Sequence, residues 1–198
     1  MRPRCFAAAL LLLVACGGSD RTPAEQEAES LAGLTLRPDA VPDALEPDEE
    51  ATGPIGSLRD VLPPRSDAPQ LPPLAKSVRR AFLSGYDAVY AGTEEDGPTS
   101  LTSSVLRFSE AAHASAFLTY LRDVQSEAVM VGSSELLEAP GLGEEGYGWH
   151  GQAPGGETSG SVWRRGELVF TLTLGGGLGD VPAERALELA RDLDASLD

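Results

Sequence analysis

Cysteine is almost absent from this 198-residue sequence. Its two cysteines, Cys5 and Cys16, lie close to the N-terminus, and none occurs from Gly17 to Asp198. No disulfide can stabilise that long stretch, and neither thiol catalysis nor a cysteine-ligated metal is available to it. The folded part of the protein must therefore be stabilised by packing alone.

Cationic residues are also scarce. The chain has 15 lysines and arginines against 31 aspartates and glutamates, which gives a formal net charge of −16 and a pI near 4.4. Such a chain repels phosphate groups, so nucleic acid is excluded as a partner and charge alone cannot hold the protein on an anionic membrane. We interpret the acidity as a solubility feature of an extracytoplasmic protein.

Residues that commonly bind metals or carry catalysis are few. There are two histidines, His113 and His150, and the sequence contains no HExxH, CxxC or G-x-S-x-G motif. Glu144 and Glu145 are adjacent, and neighbouring residues of a strand point to opposite faces, so they are poor partners for acid and base catalysis. We therefore predict no catalytic residue, no metal site and no cofactor.

The first fifteen residues have the organisation of a bacterial signal peptide. Two arginines, at positions 2 and 4, precede an apolar run that is too short for a membrane-spanning helix, which needs about 20 residues. The run ends in Leu13-Val14-Ala15-Cys16, which resembles the lipobox of bacterial lipoproteins. This resemblance implies that a peptidase removes residues 1–15 and that Cys16 carries fatty acyl chains such as palmitate.

Lipidation of Cys16 has a direct consequence for location. Each buried CH₂ group of an acyl chain contributes about 0.8 kcal/mol, so two or three chains hold a protein firmly at a bilayer. The resemblance therefore predicts a membrane-anchored lipoprotein on the extracytoplasmic side of a bacterial membrane, at the cell surface or in the periplasm. Its membrane contact is made through the lipid on Cys16.

The chain beyond the leader divides into three segments by composition. Residues 16–30 are small and polar without apolar periodicity, which is typical of a flexible tether. Residues 31–75 are acidic and rich in proline but contain scattered apolar residues, so they are either partly ordered or a linker. As a coil, the stretch before the domain would hold it about 40 Å from the membrane. Residues 76–198 carry the periodic patterns of a folded domain.

The strand signals in residues 76–198 are alternations with a period of two. They occur in YDAVYA, SLTSSVLRF and SVWRRGELVFTLTL. In the last of these, a two-residue hairpin turn at Arg165-Gly166 is predicted. It would place Arg164 opposite Glu167 and Trp163 opposite Leu168. The apolar residues of this hairpin would then share one face.

Two amphipathic helices are predicted between and after the strands. Apolar residues recur at three- and four-residue spacing in EAAHASAFLTYLRDVQSE and in VPAERALELARDLDASLD. We predict an α+β domain in which a mostly antiparallel sheet carries both helices on one face, preceded by the Pro-rich acidic tether. The order of elements loosely resembles PsbP-like extracytoplasmic α+β domains.

A candidate binding site lies in a glycine-rich stretch. Tyr147, Trp149 and His150 stand among glycines, and aromatic side chains on such a strand offer a large contact area at a small entropy cost. The alternative interpretation places these side chains in the hydrophobic core.

The sequence thus predicts a non-catalytic lipoprotein of the cell envelope that binds an envelope protein or a small ligand. Two other classes of function are kept as alternatives. One is a cell-envelope enzyme with an unrecognised catalytic group, centred on His150 with Glu144 or Glu145. The other is a carrier of a small apolar molecule, with a cavity between the sheet and the helices.

Overall fold

The computed structural model describes residues 22–62, 73–92, 97–130, 134–153 and 156–197. This part of the chain forms α-helices and strands that are numbered here in chain order. They are α1 (Pro23–Leu31), β1 (Glu46–Pro47), β2 (Gly53–Ile55), α2 (Lys76–Ala81), β3 (Phe82–Ala91), β4 (Pro98–Phe108), α3 (Ala111–Met130), β5 (Ser134–Glu138), β6 (Glu145–Ala153), β7 (Gly156–Arg165), β8 (Leu168–Gly176) and α4 (Arg185–Ser196). Among these described helices, none has the length and apolar character needed to cross a membrane. The signal-peptide and Cys16 predictions fall outside the described residues.

The eight strands form one antiparallel sheet. Their order across the sheet is β1-β3-β4-β8-β7-β6-β5, and β2 pairs with another part of β3. Every pairing is antiparallel, which confirms the predicted α+β class. Since side chains alternate along a strand, the sheet has two distinct faces, and each of them packs against helices.

One face of the sheet packs against α4. Trp163 is fully buried there, and its ring stacks on Phe170 with the ring centroids 5.1 Å apart. Leu187, Ala190 and Leu193 of α4 lie three residues apart and are buried in the same core. This spacing is the reason that the C-terminal sequence forms a helix with one apolar side.

The opposite face packs against α2 and α3. Phe117 of α3 contacts Phe108 of β4, with ring centroids 5.2 Å apart, and Val162 of β7 belongs to the same core. The prediction that both amphipathic helices pack on one face is therefore wrong. Adjacent residues such as Val162 and Trp163 are both buried, so the sheet is apolar on both faces here and each helix covers its own face.

The segment before residue 63 is part of the folded unit. Helix α1 begins with a capping box, in which the Glu25 N–H donates to Thr22 Oγ1 at 3.3 Å and the Thr22 N–H donates to the Glu25 carboxylate at 2.6 Å. Ala28 and Leu31 are buried. The flexible tether expected for residues 16–30 is therefore wrong for residues 23–30, which are helical, and the capping pattern T-x-x-E at Thr22 and Glu25 is the sequence signal of this helix.

The described residues 31–62 are ordered against both faces. Apolar side chains of this segment are buried at intervals: Leu31, Leu36, Val41 and Leu45 on the α4 side, and Ile55 and Leu58 on the α3 side. Polar contacts fix its path as well, since the Tyr90 hydroxyl donates to the Leu36 carbonyl at 2.6 Å and the Leu36 N–H donates to Ser103 Oγ at 3.0 Å. Of the two interpretations of residues 31–75, order holds up to residue 62.

The β7–β8 hairpin has a different register from the predicted one. Arg165 pairs with Leu168, so the turn consists of Gly166 and the residue after it, and Trp163 lies opposite Phe170. Gly166 has φ of 56°. A two-residue type II′ turn requires such a conformation at its first central position, which explains why the glycine occupies that position. The apolar residues of the hairpin still share one face, as predicted, because the observed pairing is shifted by two residues from the predicted one and side chains alternate with a period of two.

Candidate ligand-binding site

The strand register brings two rows of side chains together on the face that α3 covers. Neighbouring strands place these residues side by side, and the period of two directs them to the same face. The first row is Tyr147, Val162 and Thr171, and the second row is Trp149, Gly160 and Thr173.

A pocket of about 240 Å³ lies over these rows. Its floor is formed by the rows' side chains other than Gly160, which has none. Its walls are residues of α3 and of the N-terminal segment: Leu121, Val124 and Gln125, and Val61 and Leu62. A cavity of roughly 150 Å³ can enclose benzene, so this pocket has room for a small organic molecule. We call it the α3 pocket.

Trp149 lies flat against the backbone of Gly160. A Cβ atom added at position 160 would collide with the indole ring at its Cε2 and Nε1 atoms. The absence of a side chain at Gly160 is therefore what allows the large indole to lie along the sheet and form one side of the pocket. Trp149 remains partly exposed in this position.

Tyr147 is a buried residue of the pocket floor. Only 3% of its surface is exposed, and the Arg122 guanidinium lies over its ring at 5.0 Å from the ring centroid. Its hydroxyl group is buried and has no hydrogen-bond partner among the described residues. Burial raises the pKa of the Tyr147 phenol, so this group remains a neutral donor and acceptor at physiological pH.

Sequence reasoning did not identify the threonines of the pocket. Thr171 and Thr173 are half-buried and line the floor. The signal was present in the alternation VFTLTL, which places both threonines opposite the buried Leu172. The sequence does not show which residues lie beside these threonines in the sheet. Strand β8 pairs with β4 and β7, and the register of these pairings is not defined by a local pattern.

His150 does not reach the α3 pocket. It follows Trp149 on β6 and therefore points to the opposite face, where its Nδ1 lies 4.0 Å from Glu135 and its Nε2 lies 3.9 Å from Glu157. Of the three residues predicted as a binding site, the structure thus brings Tyr147 and Trp149 together and separates His150 from them.

Glu144 and Glu145 are held by Arg164. The Arg164 Nη2 lies 2.8 Å from Glu144 and 3.0 Å from Glu145, and the Ser115 hydroxyl donates to the second carboxylate. A hydrogen bond from the Gly166 N–H is the main cause that lowers the pKa of Glu144, with the arginine adding to it. Arg164 therefore binds these carboxylates instead of facing a glutamate across the hairpin turn as predicted. Neither carboxylate is on the face of His150 or free to act with it as a catalytic pair.

A larger cleft of about 490 Å³ lies between the segment around residues 33–40 and the end of α4. Its charged residues, Arg37, Asp39 and Asp192, are exposed to solvent. Within the ranges that the structure describes, no group of three or more His, Cys, Asp or Glu residues has an arrangement that could hold a metal ion. The α3 pocket is therefore the better candidate, because it combines apolar walls with a few uncharged polar side chains, Gln125, Thr171 and Thr173.

Comparison with known proteins gives one informative match. No protein-family model matches the chain, and no curated protein does. Among solved structures, the extracellular domain of PknH from Mycobacterium tuberculosis is similar, with a TM-score of 0.58 over 86% of this chain and 95% of that domain. The two sequences are 14% identical, so the likeness establishes a shared fold.

Proposed function

We propose that this protein is a lipid-anchored, non-catalytic module of the bacterial cell envelope that binds a small molecule in the α3 pocket. The fold is shared with a domain that is itself extracellular, which supports the extracytoplasmic location. The resemblance of Leu13-Val14-Ala15-Cys16 to the lipobox of bacterial lipoproteins supports the anchor. The alternative function, a carrier of a small apolar molecule, would use the same pocket. It differs from the proposed function in that the bound molecule is later released elsewhere.

The observation that carries this proposal is the chemistry of the α3 pocket. Ligand sites are concave and mostly apolar, with a few polar groups that orient the bound molecule. The α3 pocket has this composition: valines, leucines, one tryptophan and the Tyr147 ring line it together with three uncharged polar side chains, Gln125, Thr171 and Thr173. The side chains come from three strands, one helix and the N-terminal segment, so the pocket depends on the whole fold.

Filling the pocket with a larger side chain should abolish ligand binding. Thr173 lies on the pocket floor and is half-buried, so an indole introduced by Thr173→Trp would occupy the space that a ligand needs. Native mass spectrometry of the protein purified from its own bacterium should detect a bound small molecule in the wild type and none in this variant. The matched control is Thr119→Trp, which adds an indole on an exposed position of α3 and should retain the bound molecule.

Either of two results would contradict this proposal. The wild-type protein could be isolated without any bound molecule, or Thr173→Trp could carry the same molecule as the wild type. Circular dichroism melting of both variants distinguishes a filled pocket from an unfolded chain, because only unfolding abolishes the transition.

The anchor is tested separately at Cys16. We expect that the N-terminal peptide of the mature protein begins at Cys16 and carries the mass of acyl chains, and that Cys16→Ser releases the protein from the membrane fraction. Cys5→Ser is the matched control, since Cys5 lies in the leader that is removed, and it should leave membrane association unchanged. An unmodified Cys16 in the membrane-bound protein would disprove lipid anchoring.

A further inference from the structure

We propose that a cleft lined by Arg59 and Arg79 binds the phosphate group of an organic phosphate, either a lipid headgroup or a soluble phosphate ester. The cleft has a volume of about 370 Å³ and lies between the turn that follows β2 and the helix α2. We call it the arginine cleft. It is a separate site from the one in the proposed function, because neither arginine lines the α3 pocket.

The first support is the pair of accessible arginines. Among the described residues that line the cleft, Arg59 and Arg79 are the only charged ones, and both are exposed to solvent. Neither side chain forms a hydrogen bond or an ion pair with another described residue. Other arginines of the fold are ion-paired, namely Arg107, Arg164, Arg165 and Arg185. Guanidinium groups match the geometry of phosphate oxygens, so these two are available for an external phosphate.

The second support is the local charge, which is positive although the whole chain is acidic. Residues 68–86 contain three cationic residues and no aspartate or glutamate. Asp60 is the neighbour of Arg59, but it is not among the lining residues, and its carboxylate accepts a hydrogen bond from the Ser57 N–H at 3.1 Å. Exposed charges farther away than about 8 Å are largely screened at physiological ionic strength. The acidic residues elsewhere on the surface therefore repel an anion in this cleft only weakly.

The third support is the rest of the lining, which indicates the kind of anion. A phosphate monoester carries about −1.5 to −2 charges at pH 7, which two arginines can balance. Leu58, Leu62 and the half-buried Phe82 also line the cleft. They give an apolar part of the ligand a surface to lie on. The cleft thus suits a phosphate that is attached to an organic group better than a free inorganic ion.

The position of the arginine cleft relates it to the proposed anchor. Helix α1 lies against β2 and β3. The cleft includes Gly56, which follows β2 directly, and Phe82, which is the first residue of β3. If Cys16 carries a lipid, the phosphate headgroups of the bilayer lie near this part of the fold. A soluble phosphate ester of the same compartment is the other source, and the experiment distinguishes the two.

The test uses the chain from residue 16 onward with Cys16→Ser, which contains every described residue and has no acyl chain to attach it to vesicles. For the soluble source, phenyl phosphate is titrated in a phosphate-free buffer and followed by NMR chemical shifts. For the lipid source, the protein is sedimented with phosphatidylglycerol vesicles, and phosphatidylcholine vesicles serve as the uncharged control. We expect saturable binding of phenyl phosphate, or binding to phosphatidylglycerol that exceeds binding to phosphatidylcholine.

The double variant Arg59→Ala/Arg79→Ala should weaken this binding by about 25-fold, because each cation near an anionic group contributes roughly fivefold. The matched control is Arg37→Ala/Arg191→Ala, which removes the same charge from exposed positions outside the cleft and should keep the affinity within about twofold. Circular dichroism melting should give the wild-type transition for both variants, since none of the four side chains has a partner among the described residues.

The outcomes identify the source or overturn the site. Loss of phenyl phosphate binding in Arg59→Ala/Arg79→Ala assigns the cleft to a soluble ester, and loss of phosphatidylglycerol binding assigns it to a lipid headgroup. If the wild type binds neither probe, or if the two double variants lose affinity equally, the arginine cleft is not a phosphate site. Failure here is distinguishable from failure of the α3 pocket, because Thr173 does not line this cleft and the two arginines do not line that pocket.

Discussion

Replacing Asp194 by alanine should lower the free energy of unfolding by about 3 kcal/mol. Asp194 is buried on α4, and its carboxylate accepts two hydrogen bonds from Arg165, at 2.6 and 3.0 Å, and one from the Gly143 N–H at 3.0 Å. It therefore connects α4 to the β7–β8 hairpin and to the loop before β6. Loss of one partner of a buried ion pair costs about 3–5 kcal/mol, and the partial exposure of Arg165 favours the lower end of that range.

Urea denaturation followed by circular dichroism measures this effect. Asp192→Ala is a suitable control, because Asp192 lies on the same helix, has the same charge and is exposed, so its replacement should change the free energy of unfolding by no more than about 0.5 kcal/mol. If Asp194→Ala were as mild as this control, the carboxylate would not be the connection that we infer between these elements.

Replacing Trp163 by alanine should destabilise the protein still more, by about 3–5 kcal/mol. Trp163 is fully buried, and its ring stacks on Phe170 at the centre of the core beneath α4. The variant would lose the apolar burial of the indole and leave a cavity in a closely packed core. Thermal unfolding followed by circular dichroism should show a markedly lower melting temperature.

Two further variants make the Trp163 measurement specific. Trp163→Phe keeps a stacked ring and removes an indole N–H that has no hydrogen-bond partner among the described residues, so it should cost less than the alanine variant. Leu178→Ala truncates a residue that is 68% exposed and should have almost no effect. A cost for Trp163→Ala below that of Trp163→Phe would contradict the assignment of Trp163 to the core.

The sequence predicted most of the sheet and both long helices, because their patterns are local. Alternation identified β3, β4 and the β7–β8 hairpin, and three- and four-residue spacing identified α3 and α4. The faces on which the helices pack were not predictable in this way. Strands that are apolar on both sides, as at Val162 and Trp163, give no indication of which helix covers which face.

The candidate site was accessible to sequence reasoning only in part. Tyr147 and Trp149 are two residues apart on one strand, so their common face follows from the period of two, and the same rule directs His150 away from them. Thr171, Thr173 and the residues of the N-terminal wall come from elements distant in sequence. Their approach depends on strand order and register, which no local pattern contains.

The capping box of α1 changes the expected distance between the fold and the bilayer. Thr22 is the N-cap of this helix, and six peptide units separate it from Cys16 in the sequence. With a lipid on Cys16, as proposed, these six peptide units span at most about 22 Å when fully extended. This is about half of the distance of about 40 Å expected for a coil. The N-terminus of α1 would thus stay close to the headgroup layer, and the domain would sit next to the bilayer instead of at a distance from it.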